Sequence, residues 1–396
     1  MFTPAKSKLR YQLAFEGSWP TAVAFLGAGR LAAGNQLGQI CVWELPEKPP
    51  EFKAEPKGDR QAPNVWPTRR LDGHTNEISR LVVAPDGKFL ISSSFDRSIR
   101  LWPTNAPAAG KVEVVLDDET RKREARRTGK KEPPKSPGVS VETQTACEVL
   151  DGHKEWIYAL GISDDGTRLI SGDAASQVIV WDVATRKAVS TWAGHPWNWI
   201  VAAALSADGK TALVSENRYK RDDFDVPSPG LKLVDVATAK ETLDLLKVQF
   251  PKLNPLERGY GPSQSWRKFV GNGLIAAAIS PDGKLVAVGQ GGETDTGKVH
   301  LLDATTGKLV RDVSGHMSGI TALLFTADSK YMISAGRDTC VRICQVADGK
   351  EVAVLGAPRG GQFKDWFSAV AISPDERRIA AADIAGTVHV WEFDAA

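Results

Sequence analysis

The clearest regularity along the chain is a series of short apolar runs separated by tight-turn signals. From Leu71 to Trp102, three apolar runs follow one another, and Ala84-Pro85-Asp86-Gly87 joins the first two. Proline presets φ and glycine accepts positive φ, so Pro-Asp-Gly between apolar runs predicts a turn between two β-strands. Related signals begin at Leu26, Ala84, Ser163, Ser206, Ser280, Thr326 and Ser373. The pattern therefore predicts seven repeats of short β-strands.

The predicted strands are apolar on both faces instead of alternating between apolar and polar residues. The run Val178-Ile179-Val180-Trp181 is one example. Such a strand needs cover on both sides, as it has when small sheets pack face to face. Alanines fill the first strand of some repeats, at 202–204 and 276–278, which suits a crowded position near a central axis.

The repeat resembles the WD repeat, a unit of about 40 to 45 residues that forms one blade of a β-propeller. The resemblance is carried by Gly73-His74 before the first strand, by Asp96 in a turn and by Trp102, although Pro103 stands where the family has Asp. It implies an all-β fold, a single seven-bladed β-propeller of WD repeats over residues 1–396. It also implies that the N-terminal strand, Leu9 to Phe15, completes the last blade and closes the ring.

The same resemblance implies a buried hydrogen-bonded set of His, Ser or Thr, Asp and Trp in each repeat, with a structural role. The set is complete only in the second repeat, as His74, Ser92, Asp96 and Trp102. In the third repeat Ala175 stands where the Asp belongs, and in the sixth Cys344 replaces the Trp. The fourth repeat keeps only His195 and Ser215.

Four insertions lengthen the connections between predicted strands. Residues 44–67 and 103–145 follow third strands, so we expect them on the bottom of the ring. Residues 216–229 and 248–271 are expected on the opposite face. These last two belong to neighbouring blades, four and five, and could meet as a cap over one side.

Composition indicates a soluble protein without a dominant charge. The formal net charge is +2 over 396 residues. Four scattered cysteines are too few for a disulfide framework in a chain of this length. The sequence contains no signal peptide and no apolar stretch long enough to span a bilayer. We therefore expect a cytoplasmic protein that does not associate with membranes.

The histidines give no indication of catalysis. Four of the six lie at the Gly-His position or its equivalents. His300 and His389 lie two residues before the Trp position, without a Ser or Cys in a nucleophile context, so we assign them structural roles. No nucleophile elbow, zinc-protease motif or phosphate-binding loop is present. We predict that the protein is not an enzyme.

Two local patterns resemble ligand sites but lack the required context. Gly271 to Ala276 matches a dinucleotide fingerprint, which needs a helix after it, whereas the turn signal at Ser280 makes Leu274 to Ile279 a strand. Asp222, Asp223 and Asp225 lack the spacing of a calcium-binding loop. We predict no cofactor and no metal site.

The segment from Arg121 to Lys131 holds seven basic residues and one acidic residue, a composition that can bind nucleic acid or another anion. Acidic residues flank it on both sides, and no aromatic residues interleave for base stacking. The pattern favours a solvated loop over a nucleic-acid site.

Tryptophan marks the position immediately before the first strand in four repeats, at Trp19, Trp156, Trp199 and Trp366. Glu77, Gly273 and Gly319 occupy the equivalent position in the other three. In the WD-repeat family this position lies on the top face around the channel mouth, where partners commonly dock, and exposed Trp residues are typical of interaction surfaces. The predicted partner-binding residues are Trp19, Glu77, Trp156, Trp197, Trp199 and Trp366. The alternative is that these rings only fill space between the blades.

Two functions follow from these patterns. The leading one is a non-enzymatic scaffold that docks a protein or peptide partner on the top face, as the resemblance implies. The alternative is a small-molecule-binding or hydrolase-like propeller with a site at the mouth of the central channel. That site would need carboxylates, histidines or metal ligands at the strand starts, where the sequence places small and aromatic residues.

Overall fold

The computed structural model describes most of the chain. The described residues are 4, 7–15, 18–52, 64–115, 129, 138–196, 198–217, 229–251, 268–271, 273–292, 297–313, 315–357 and 366–394.

The described chain consists almost entirely of β-strands. The first fifteen are β1 (Ser7–Ala14), β2 (Pro20–Phe25), β3 (Arg30–Asn35), β4 (Ile40–Glu44), β5 (Arg69–Leu71), β6 (Ile78–Val83), β7 (Phe89–Ser94), β8 (Ile99–Pro103), β9 (Gly110–Val114), β10 (Val139–Gln144), β11 (Glu148–Leu150), β12 (Ile157–Ile162), β13 (Arg168–Asp173), β14 (Gln177–Asp182) and β15 (Ala188–Ala193). The other fifteen are β16 (Trp199–Leu205), β17 (Thr211–Asn217), β18 (Gly230–Asp235), β19 (Lys240–Asp244), β20 (Leu274–Ile279), β21 (Leu285–Gln290), β22 (Val299–Asp303), β23 (Leu309–Val313), β24 (Ile320–Phe325), β25 (Tyr331–Gly336), β26 (Cys340–Gln345), β27 (Glu351–Gly356), β28 (Phe367–Ile372), β29 (Arg378–Asp383) and β30 (Thr387–Phe393). One short helix, α1 (Leu245–Gln249), follows β19.

These strands form seven sheets arranged as the blades of a ring, which confirms the predicted seven-bladed propeller. From the axis outwards, the blades are β2-β3-β4-β5, β6-β7-β8-β11, β12 to β15, β16 to β19, β20 to β23, β24 to β27, and β28-β29-β30-β1. We number them blades 1 to 7 in that order. The apolar core lies between neighbouring blades, because both faces of each sheet are covered.

The N-terminal strand closes the ring, as predicted. β1 pairs antiparallel with β30, from Ser7 opposite Phe393 to Ala14 opposite Thr387. Tyr11, Leu13 and Phe15 are buried in the core cluster that joins blades 7 and 1. This pairing covers the edge of β30, which would otherwise be open to another chain.

Every innermost strand carries a β-bulge near its N-terminal end. The extra residues are Thr21, Ser79, Tyr158, Val201, Ile275, Thr321 and Ser368. A bulge turns its residue out of the ladder, and three of these hydroxyls donate to the first carbonyl of the next blade. Thr321 donates to Phe367 at 2.7 Å, Ser368 donates to Pro20 at 2.7 Å, and Thr21 donates to Ile78. These bonds link blade 6 to blade 7, blade 7 to blade 1 and blade 1 to blade 2.

Close approach between blades also requires small residues in some second strands. A methyl group added at Gly172 would lie 2.2 Å from Cγ2 of Ile200 in the next blade. The same relation holds between Gly34 and Ile78, at 2.5 Å. Only glycine fits at these two seam positions.

The insertion at 103–145 takes a course that its sequence did not indicate. After β8 the chain leaves blade 2 and adds β10 and β9 to the outer edge of blade 1, where β10 runs parallel to β5. The chain then returns as β11 to complete blade 2. Arg69 of β5 and Glu142 of β10 form an ion pair at 2.6 Å across the parallel pairing. Blades 1 and 2 are therefore interlocked by the backbone.

The remaining insertions are described only in part. Within 44–67, Val65 forms an isolated bridge with Leu13. Most of 216–229 and 248–271 lies outside the described residues, although Phe269 and Val270 are buried in the core of blades 4 and 5. Of the basic segment Arg121 to Lys131, only Gly129 is described.

Candidate functional site

We call the top of the ring the face that carries the turns between second and third strands and the chain entering each first strand. Backbone hydrogen bonds show that the predicted top positions are equivalent in five blades, because the residue before the first strand accepts from the turn of its own blade. The pairs are Phe95 to Glu77 (2.9 Å), Ala174 to Trp156 (2.9 Å), Gly291 to Gly273 (2.7 Å), Arg337 to Gly319 (2.9 Å) and Ile384 to Trp366 (3.0 Å). In blade 4, Trp199 opens β16 opposite Asn217.

The candidate tryptophans differ in exposure. Trp19 is 41% exposed and Trp156 is 43% exposed. Trp199 and Trp366 are half-buried, and so is Glu77. Trp197 lies outside the described residues.

Two of the six candidates belong to one continuous group of rings, which we call the aromatic row: Trp156, Phe95, Tyr158 and Trp199. Phe95 stacks on Trp156 with ring centroids 5.3 Å apart and contacts Tyr158 at 4.8 Å. Tyr158 in turn stacks on Trp199 at 5.0 Å. The row crosses the seams between blades 2, 3 and 4, and its faces can contribute both to packing and to recognition.

Two other candidates, Trp366 and Trp19, stand apart from the aromatic row. Trp366 lies at the seam of blades 6 and 7 under the guanidinium of Arg337, which is 4.3 Å from the ring centroid. Trp19 lies on blade 1, directly before β2. The structure therefore brings Trp156 and Trp199 into one row and places Trp19 and Trp366 elsewhere on the rim.

Sequence reasoning missed Phe95 and Tyr158. Phe95 occupies the turn position that Arg337 has in blade 6, and Tyr158 is the bulge residue of β12. Neither position has a distinctive spacing in the sequence. Their contribution depends on the packing of one blade against the next.

Charged groups lie close to the aromatic row at the top of blade 2. Burial raises the pKa of Glu77, and the charge of Arg80 lowers it. Burial lowers the pKa of Arg80, whose Nη1 donates to the carbonyl of Ser79 at 2.8 Å.

Exposed large apolar side chains are distributed unevenly over the described surface. Four lie on top-face loops: Trp19, Trp156, Leu37 (58% exposed) and Met317 (45% exposed). The other five, Val149, Val189, Leu309, Val310 and Val354, lie on outermost strands. Among the described residues, the bottom turns present none.

The structure assembles the four-residue set of blade 2. Nδ1 of His74 lies 2.8 Å from Asp96 and its Nε2 lies 2.7 Å from Ser92. Nε1 of Trp102 donates to the same Ser92 hydroxyl at 2.8 Å. The set joins the chain before the first strand to the second and third strands, which is a structural task.

The set of blade 3 is also complete, contrary to the expectation from Ala175. Nδ1 of His153 lies 2.8 Å from Asp173, and Nε2 lies 2.7 Å from Ser171, which also accepts from Trp181. The carboxylate thus comes from the end of β13, two residues before the expected position.

In blade 4 the two expected members of the set, His195 and Ser215, do not contact each other. His195 is exposed, and its Nδ1 lies 2.8 Å from the carbonyl of Pro196 in its own loop. Ser215 instead donates to the carbonyl of Leu274 in blade 5 at 2.6 Å. In blade 6, His316 contacts Asp338 and Ser334 as expected, at 2.8 Å each, and buried Cys344 fills the Trp position.

The two remaining histidines pack structurally, as predicted. His300 is 1% exposed, stacks on Phe269 with centroids 3.8 Å apart and lies 2.7 Å from Asp312. His389 lies 2.7 Å from Asp383. Leu274 to Ile279 is strand β20, so the dinucleotide fingerprint lacks its helix.

The described residues contain no group of three or more His, Cys, Asp or Glu placed to hold a metal ion. Asp222, Asp223 and Asp225 lie outside them. A cleft of about 410 Å³ lies on the bottom between blades 1 and 2, lined by Arg30, Glu44, Arg69 and Lys111 over a floor that includes Trp102. It is not at the channel mouth, where the alternative function would need a site.

Comparison with known proteins agrees with the repeat structure. The family model described as "WD domain, G-beta repeat" matches residues 66–103, 144–182, 307–344 and 352–392. No helix among the described residues has the length and apolar character needed to cross a membrane.

Three relatives illustrate the similarity to curated proteins. Autophagy-related protein 16 of Arabidopsis thaliana is 26% identical over 82% of this chain and 49% of its own length. WD repeat-containing protein SL1-17 of Schistosoma mansoni is 25% identical over 51% of this chain and 55% of its own length. Nuclear distribution protein nudF of Aspergillus niger is 23% identical over 71% of this chain and 42% of its own length. The chain thus spans about half the length of these relatives.

Proposed function

Because this chain is a WD-repeat propeller, we propose that it is a non-enzymatic scaffold that docks a protein or peptide partner on the top face of the ring. The observation that carries the proposal is that both exposed tryptophans among the described residues, Trp19 and Trp156, lie on that face together with exposed Leu37 and Met317. Rigid aromatic side chains bring a large contact area at a low entropy cost and are enriched among residues that dominate binding. The bottom turns offer no comparable surface among the described residues.

The proposed contact residues fall into three groups around the rim. They are the aromatic row with Glu77, the pair Trp366 and Arg337, and Trp19 with Leu37 on blade 1. A partner that spans blades 1 to 4 would contact the first and third groups. Trp197 is also a proposed contact, because it lies two residues before Trp199 in the sequence.

The test is a pull-down from the source cell with the intact protein and with Trp156→Ala as baits, followed by affinity measurement with the purified partner. We expect the substitution to weaken binding by about 2 kcal/mol or more and to leave the melting temperature nearly unchanged. Val189→Ala is the matched control, because Val189 is 48% exposed but lies on the outermost strand of blade 3. Equal partner recovery with the intact protein and with Trp156→Ala would overturn the proposal.

A further inference from the structure

The top of blade 2 holds a half-buried carboxylate, Glu77, with no counter-charge at contact distance in the described part of the chain. Within the described part of the chain, Glu77 forms no ion pair within 4.0 Å and its carboxylate accepts no hydrogen bond. Arg80 is near enough to influence its pKa but donates to the Ser79 carbonyl instead. Partial burial of an unpaired carboxylate costs free energy, and a cation from outside would offset that cost.

The backbone around Glu77 lies close to two turns that carry apolar side chains. On one side is Leu37, 58% exposed, in a turn so close to blade 2 that a methyl group added at Gly38 would lie 2.7 Å from the carbonyl oxygen of His74. On the other side, the Phe95 amide donates to the Glu77 carbonyl at 2.9 Å, and the Phe95 ring begins the contacts with Trp156 and Tyr158. The chain at residues 74–77 therefore contacts both the turn that carries Leu37 and the turn that carries Phe95.

At the seam of blades 6 and 7, a cation of the same chain covers the face of an indole side chain. There the turn residue Arg337 places its guanidinium 4.3 Å from the centroid of Trp366. At the seam of blades 2 and 3 the equivalent turn residue is Phe95. Its side chain stacks on the indole of Trp156, which remains 43% exposed. This second seam has the carboxylate and the indole, and among the described residues no cation lies over the ring of Trp156.

We infer that the partner presents a lysine or arginine side chain, flanked by apolar residues, to Glu77 and the aromatic row. This inference rests on the proposed top-face docking and names the chemistry recognised there. The carboxylate attracts the cation, the exposed indole adds a cation–π contact, and the aliphatic stem of the basic side chain packs on the rings. A proline-only or acidic segment would leave Glu77 unpaired or would repel it.

The experiment uses the full chain and the peptide acetyl-Ala-Leu-Arg-Leu-Ala-amide, with affinity measured by ligand-observed NMR at low salt. The comparison peptides carry Gln or Glu in place of Arg, and a fourth contains five prolines. We expect saturable binding of the Arg peptide that is at least tenfold tighter than that of the others and weakens as salt screens the charges. Absence of binding to the Arg peptide at millimolar concentration, or tighter binding of the proline or Glu peptide, would overturn the inference.

Matched variants separate the contribution of Glu77 from general effects. Glu77→Gln should weaken the Arg peptide at least tenfold and leave the affinity for the Gln peptide unchanged. Glu155→Gln, which changes an exposed carboxylate next to Trp156 in the chain, should change neither. Circular dichroism should show the same melting temperature for both variants, which excludes unfolding as the cause.

Failure of this inference is distinguishable from failure of the proposed function. If Trp156→Ala loses the cellular partner while Glu77→Gln retains it fully, the basic side chain is refuted and top-face docking stands. If the partner binds both variants as it binds the intact protein, both proposals are overturned. Loss of the partner with both variants, together with the peptide preference, supports both.

Discussion

Replacing Trp102 by alanine should destabilise the ring far more than the same change at Trp156. Trp102 is 1% exposed and packs in the core cluster between blades 1 and 2, against residues that include Leu71 and Leu90. Its Nε1 also donates to Ser92 at 2.8 Å. Trp156 is 43% exposed, so much of its surface remains in water in the folded state.

The magnitude has two parts. Truncation of a buried Trp to Ala removes its transfer free energy and leaves a cavity, together about 3 to 5 kcal/mol. The hydrogen bond to Ser92 contributes about 1 kcal/mol net. Trp102→Phe keeps most of the ring volume, so it should cost only about 1 to 2 kcal/mol. Trp156→Ala should cost less than about 1 kcal/mol, because surface substitutions usually have small effects.

Urea titration followed by far-UV circular dichroism, with the intact protein and the three variants under one condition, measures these differences. Similar slopes with shifted midpoints would indicate a change in stability alone. Comparable losses at Trp102 and Trp156, or a larger loss for Trp102→Phe than for Trp102→Ala, would refute the proposed packing and hydrogen bonding.

Three further predictions concern closure, acid stability and the seams. Deletion of residues 1–16 removes β1 and exposes the edge of β30, so the truncated chain should aggregate in size-exclusion chromatography; a monomer with an unchanged melting temperature would contradict this. Burial lowers the pKa of His74 from 6.5, and the His74 hydrogen bond lowers that of Asp96 even though burial alone would raise it. Below about pH 6.5 the unfolded chain therefore binds more protons than the folded chain, so the free energy of unfolding should fall between pH 7 and pH 4. It should fall less in His74→Gln. The same dependence of this free energy on pH in both proteins would contradict the prediction. Gly172→Ala should destabilise the ring through the clash with the next blade, whereas Gly29→Ala, with no atom within 4 Å of the added methyl group, should be nearly neutral in thermal melts.

The number of repeats followed from local chemistry. Each tight turn joins neighbouring residues, so Pro-Asp-Gly and its variants determine where one strand ends and the next begins without help from the rest of the chain. The segment Leu274 to Ile279 was predicted as a strand because of the turn after it, and it is β20. Ring closure was also predicted, because the resemblance to the WD-repeat family implied that Leu9 to Phe15 completes the last blade.

The buried polar sets could be predicted only where the usual spacing holds. In blade 2 all four side chains lie at the expected positions and meet. In blade 3 the carboxylate of Asp173 reaches the imidazole of His153 from another backbone position. A spacing rule assigns a role to a position, whereas a hydrogen bond requires only that two side-chain atoms meet.

The candidate site and the interlocked blades were decided by tertiary structure. The aromatic row joins Phe95, Tyr158 and Trp199, which belong to three blades and meet only because those blades stack side by side. The pairing of β10 with β5 attaches the insertion that follows the third strand of blade 2 to the outer edge of blade 1. Local sequence determines strands and turns because their hydrogen bonds and dihedral angles involve near neighbours. Which side chains share a seam depends on the ring as a whole, since the partners come from separate repeats and are brought together by the burial of the blade faces.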